Sequence, residues 1–162
     1  MMAPVDNPLA DEANFALLRT GFMVTVASRD AAHVPSVTRA LGCRVSPDRR
    51  RVTVFLLASQ SATLLRDLRT TGAIAAVFSQ PSTHRTIQLK GSDATPGAVE
   101  PGDIALIEAN AAAALADLAL AGFPESFART IFAYDAPDVV AVGFTPSTAF
   151  VQTPGPQAGR RL

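Results

Sequence analysis

Three short stretches hold the side chains that could do chemistry. Ser59, Ser61 and Thr63 fall in A-S-Q-S-A-T, where an apolar run hands over to a helical pattern. The unpaired first-turn N–H groups and the dipole of such a helix favour an anion, so hydroxyls there fit a phosphate; they fit plain N-capping equally. The second stretch is R-T-I-Q-L-K-G, Arg85 to Gly91. With a period of two, Ile87 and Leu89 share one face of a strand while Thr86, Gln88 and Lys90 line the other. An amide beside an ammonium can bind the polar edge of a ring, and a solvated outer face has the same pattern. The third is Arg39, which shares parity with Val37, Leu41, Cys43 and Val45. Either it turns to the apolar side and needs a carboxylate, phosphate or water beside it, or a β-bulge shifts the register.

The elements that must position these residues can be read from periodicity and turn residues. Asp11 to Thr20 forms a short helix, with Asp11 as cap and Gly21 as stop. Phe22–Ser28, Val34–Val45 and Val52–Leu57 are apolar, β-branched strands separated by turns, which reads as an antiparallel meander. Leu64, Leu65 and Leu68 form the apolar side of a helix that Gly72 ends. Ala73–Phe78 and Thr83–Ala94 form a hairpin, and Pro96–Gly102 a loop. Asp103 to Ala121 is the longest helix, with Ile104, Ile107, Ala111, Leu115 and Leu118 as its expected packing stripe. Phe123–Tyr134 is a short helical or irregular segment, and Val139–Phe144 with Ala149–Gln152 a last strand pair. Thr153–Leu162, rich in Pro, Gly and Arg, is expected to be loop-like or disordered in isolation. Six or more strands joined by short turns, with helices inserted, predict a small β-barrel rather than a βαβ sheet, in an α+β, mainly β domain over residues 1–162. Its core spans about 12–152, followed by the tail 153–162.

Composition bounds the partners. Fourteen basic and 14 acidic residues cancel, which leaves no electrostatic footprint for nonspecific nucleic-acid or membrane-surface binding and points to small molecules. Thirteen of the basic residues are arginine and only Lys90 is lysine; 30 alanines make codon bias the simpler origin of that imbalance. A single cysteine, Cys43, excludes an intramolecular disulfide and a Cys-based structural zinc site. No metal is expected, because His33 and His84 fall in separate turns. Met1–Ala10 has no secretory pattern and no stretch is apolar enough to span a membrane, so a cytoplasmic location is expected. P-loop, G-x-G-x-x-G, G-x-S-x-G and H-E-x-x-H motifs are all lacking.

Over residues 12 to 94 the order of segments resembles the FMN-binding split barrel of the pyridoxamine 5'-phosphate oxidase-like family. The likeness is carried by F-M-V-T-V-A-S-R-D-A-A-H-V-P-S-V, by V-T-V-F-L-L-A-S-Q-S-A-T-L-L-R-D-L, and by G-A-I-A-A-V-F-S-Q-P followed by R-T-I-Q-L-K-G. The resemblance implies a six-stranded antiparallel split barrel with flanking helices, a homodimer, and FMN at the subunit interface. By position it puts the phosphate at Ala58–Leu64, Arg39 near the flavin, and Arg85, Thr86 and Gln88 on the strand beside the ring, with Lys90 following. Two departures stand out: the basic pair that the oxidases carry at the helix start is replaced by Thr63 and Leu64, and their C-terminal arginine segment is not recognisable. Vitamin B6 oxidation is therefore not expected. The expectation is a divergent FMN-binding oxidoreductase-like protein with an unassigned small-molecule substrate or electron donor. Haem or a deazaflavin in the same barrel, or non-catalytic flavin binding as in stress-related proteins, are the alternatives.

Overall fold

The computed structural model describes residues 7–162 apart from residue 20. Most of the N-terminal segment considered above, and the predicted end of the first helix, lie outside the described residues. Helix α1 (Glu12–Leu17) begins where the Asp11 carboxylate accepts the Asn14 N–H at 2.9 Å. Strands β1 (Met23–Arg29), β2 (Pro35–Val45) and β3 (Val52–Leu57) follow as the predicted meander. A 3₁₀ turn, Ala58–Gln60, leads into α2 (Ala62–Thr71), and β4 (Ile74–Ser79) pairs with β5 (Thr86–Gly91). Then come β6 (Thr95–Gly97), α3 (Asp103–Leu120), α4 (Glu125–Ile131), β7 (Val139–Phe144) and β8 (Thr148–Val151).

All strand pairs are antiparallel, in the order β6-β7-β3-β2-β1-β4-β5-β8, and the terminal strands do not pair with each other. The sheet is therefore open and has eight strands, which corrects the expected six. The least legible strand is β6, in the segment read as a loop: three residues are too few to show a period, and β6 exists by pairing Thr95–Gly97 with Gly143–Ala141. The inner faces of β1–β5, β7 and β8 meet in one apolar cluster, into which α2 inserts Leu64, Leu65 and Leu68. A second cluster forms outside, where Ile107 of α3 packs on Leu41, Phe55, Leu57 and Ala141. With the core on one side and α3 on the other, every residue of β3 is buried.

The buried side of α3 differs from the predicted stripe. It runs through Asp103, Ile107, Asn110, Ala114, Asp117 and Leu118, so Ile104, Ala111 and Leu115 lie at its flanks rather than its centre. The polar members are there because each has a built partner. Asp103 accepts from Arg44 Nε at 2.8 Å and from the Glu100 N–H at 2.8 Å. Asn110 accepts the Phe22 N–H at 3.2 Å and donates to the carbonyls of Phe22 and Leu41 at 3.2 and 3.0 Å. Asp117 accepts from the Ser82 N–H and hydroxyl and from the Gln80 amide.

The tail is loop-like, as expected, and docks against the sheet rather than being disordered. It turns back along the free edge of β8, where the Val151 N–H donates to the Arg160 carbonyl at 2.8 Å and the Leu162 N–H to that of Ala149 at 2.9 Å. A bridge joins Phe150 to Arg161.

Candidate functional site

The register of β2 decides what Arg39 does. Ala40 pairs with Leu56 and Gly42 with Phe55, so Leu41 is an extra residue and the strand carries a bulge. Before the bulge Ser36, Thr38 and Ala40 point inward, paired with Ser28, Val26 and Val24; after it Cys43 and Val45 do so, paired with Val54 and Val52. Arg39 and Val37 therefore face outward and are exposed. Of the two readings of Arg39, the bulge holds and the buried guanidinium is corrected.

Outward-facing residues line up across four strands next to Arg39. One row runs Arg39, Thr25, Val77, Gln88 and Phe150; the next runs Val37, Ala27, Ala75, Lys90 and Thr148. At strand spacing, Arg39 and Gln88 stand about 14 Å apart across a floor of small side chains. The Lys90 ammonium lies 5.1 Å from the centre of the Phe150 ring. The floor is thus a partly exposed platform with a guanidinium on one side and an amide and an ammonium on the other. At its far end Met23 packs with α3 and α4.

Ser59, Ser61 and Thr63 come together in a cleft of about 460 Å³ at the start of α2, walled by Pro35, Ser36 and Val37. Ser61 occupies the N-cap position but its side chain makes no cap; its hydroxyl instead donates to Thr38 Oγ1 at 3.3 Å. The first-turn N–H groups of α2 are left to solvent or a ligand. Behind them, the Ser36 hydroxyl donates to Asp67 at 2.7 Å, and Arg66 pairs with the same carboxylate at 2.9 Å. The hydrogen bond from Ser36, then the neighbouring guanidinium, hold Asp67 below the usual carboxylate range. Asp138, in the turn before β7, holds Ser59: one oxygen accepts its N–H at 2.9 Å and the other its hydroxyl at 2.5 Å.

Arg85 and Thr86 do not join either group. Arg85 donates to the Ala13 carbonyl of α1 at 2.8 Å. Thr86 closes the other end of β5, with its hydroxyl 3.0 Å from that of Ser79 and its N–H donating to Thr153. His33 and His84, both with positive φ, sit in turns at opposite ends of the sheet, separated by the length of β1. Cys43 is buried among apolar groups, which pushes its thiol up to about 12 and leaves it without nucleophilic character. Sequence reasoning missed the small residues of the floor and Asp138. Alternation in A-I-A-A-V-F marks half of that floor, whereas nothing in D-A-P-D marks a residue that reaches a turn 79 positions earlier.

No protein-family model and no curated protein sequence matches the chain. Solved structures do. HupZ of Group A Streptococcus superposes with a TM-score of 0.56 at 15% identity, covering 92% of this chain and 99% of that one. A provisionally named pyridoxamine 5'-phosphate oxidase from Lactobacillus delbrueckii gives 0.52 at 14% identity, covering 87% and 93%. At such identities the likeness is one of fold: the chain is folded like these proteins, in a divergent form of the split barrel seen in pyridoxamine 5'-phosphate oxidase-like structures. No helix among the described residues is long and apolar enough to cross a membrane.

Proposed function

We propose that this chain is a homodimeric flavin-binding protein of oxidoreductase type, with FMN as its cofactor. The observation that carries the reading is the outer platform, where Arg39, Gln88 and Lys90 rim a floor of Thr25, Ala27, Ala75 and Val77 within reach of the cleft at the start of α2. A planar ring needs such a floor, and the small side chains of this one leave room for it. Gln88 is assigned to the polar edge of the ring, Lys90 and Arg39 to its carbonyl oxygens, and Ser61 and Thr63, with the free N–H groups of α2, to the phosphate. Arg85 and Thr86 would act only by fixing the end of β5. A second copy laid on the platform would exclude water from the ring, since one face of the bound molecule is otherwise in solvent.

Bound flavin supplies hydride and single-electron chemistry, and the protein supplies orientation and hydrogen bonds. Titration of the purified protein with FMN, followed by ring fluorescence and visible absorbance, tests the proposal. Saturable quenching with a perturbed flavin spectrum is the expected result; unchanged fluorescence at high protein concentration would overturn it. NADH- or NADPH-dependent bleaching of the bound flavin then separates an oxidoreductase from a protein that only holds flavin.

A further inference from the structure

We propose that Asp138 sets ligand specificity at the phosphate end of the site, by occupying both donors of Ser59 and placing a negative charge where a phosphate would bring its own. The inference rests on the flavin reading above and adds which flavins the site prefers. Its basis is the double contact of one carboxylate with Ser59, at 2.9 Å to the N–H and 2.5 Å to the hydroxyl. Ser59 lines the cleft at the start of α2 together with Ser36, Ser61 and Thr63, and no residue lining that cleft is cationic. Arg39, next along β2, points out to the platform, and Arg66 is bound to Asp67. The formal charge placed closest to these hydroxyls is thus negative.

A helix start attracts anions through its N–H groups and dipole. Here a resident carboxylate holds the Ser59 N–H and hydroxyl on the 3₁₀ turn leading into α2, and sets its negative charge beside the first-turn N–H groups that stay open. A dianionic phosphate entering the cleft would have to share it with Asp138 or displace it from Ser59, and like charges at such range repel. The platform, in contrast, is indifferent to the phosphate, because its contacts are to the ring. The chain should therefore gain little from the phosphate of FMN and bind riboflavin comparably.

Flavin fluorescence titrations of the wild type, Asp138→Asn and Asp138→Ser with FMN and with riboflavin decide the matter, with melting curves to show that the variants are folded. In the wild type the two dissociation constants should agree within about threefold. Asp138→Asn removes the charge while keeping an acceptor for the Ser59 N–H; it should tighten FMN about tenfold, the scale of one charge-assisted contact, and leave riboflavin unmoved. Adding Ser59→Ala to Asp138→Asn should take back part of the gain. Asp138→Ser should repeat the selective gain should the amide perturb the turn. A wild-type preference for FMN above tenfold, or variants that leave the ratio of the two constants unchanged, would overturn the role of Asp138 while leaving flavin binding intact. Binding of neither flavin to any of these proteins would overturn the flavin reading, and the role of Asp138 with it.

Discussion

Ser36 and Asp67 show how a single buried contact fastens the helix that carries the candidate anion site. Asp67 is only 2% exposed, and Ser36 on β2 gives it its shortest hydrogen bond. Because this contact lowers the folded-state pKa, its contribution to stability is present above the unfolded carboxylate value, about 3.9, and is lost as pH falls through the lower folded value. Ser36→Ala should therefore lower the melting temperature at pH 7 by roughly 5 °C, and the gap to the wild type should close in acid. A gap that persists unchanged through the acid range would show that the hydroxyl acts through packing alone. At this scale the sequence was informative about type and silent about partner. Gln88 and Lys90 do share an outer face, as the period of two requires, but Arg39 was ambiguous because parity counting cannot see a bulge. The bulge is held from outside the strand: the Leu41 carbonyl that it leaves unpaired in the ladder accepts from Asn110, 69 residues away.

Among the elements, the regular ones were legible and the short or docked ones were not. Strands β1 to β5 and helices α2 and α3 lie where alternation, leucine spacing and alanine content place them. The tail was opaque because its order comes from an edge rather than from its own composition. Arg160 to Leu162 bond to the outer side of β8, a strand whose other side is paired with β5. Open strand edges invite intermolecular pairing. Deleting residues 154–162 keeps Thr153, which accepts from the Thr86 N–H, and uncovers that edge. The truncated protein should melt a few degrees lower and show concentration-dependent growth in light scattering that the full chain lacks. Equal scattering at all concentrations would mean that the tail protects nothing.

For the molecule as a whole, the unequal clothing of the sheet points to where a second copy belongs. Helices α3 and α4 cover the outside near β3 and the start of β1, while the rows through Val37 and Arg39 stay open and Val37 is 67% exposed. Val37→Glu, which puts an unpaired carboxylate on the proposed dimer face, should weaken self-association at least tenfold in sedimentation or light-scattering measurements and leave the monomer folded. An unaltered dimer would move the interface elsewhere. The boundary between clothed and open sheet depends on where α3 stops, and α3 is a smooth, alanine-rich rod that could slide. Its Asp103, Asn110 and Asp117 stand seven residues apart, about 10 Å at the helical rise, like teeth engaging three separate notches, two on β2 and one in the turn between β4 and β5. Slippage by one turn would disengage all three at once and leave the buried Asp103, Asn110 and Asp117 without their partners, at about 1–3 kcal/mol each. The helix is thereby indexed to a single position, and the width of the open platform is a fixed dimension of the protein rather than an average over sliding states.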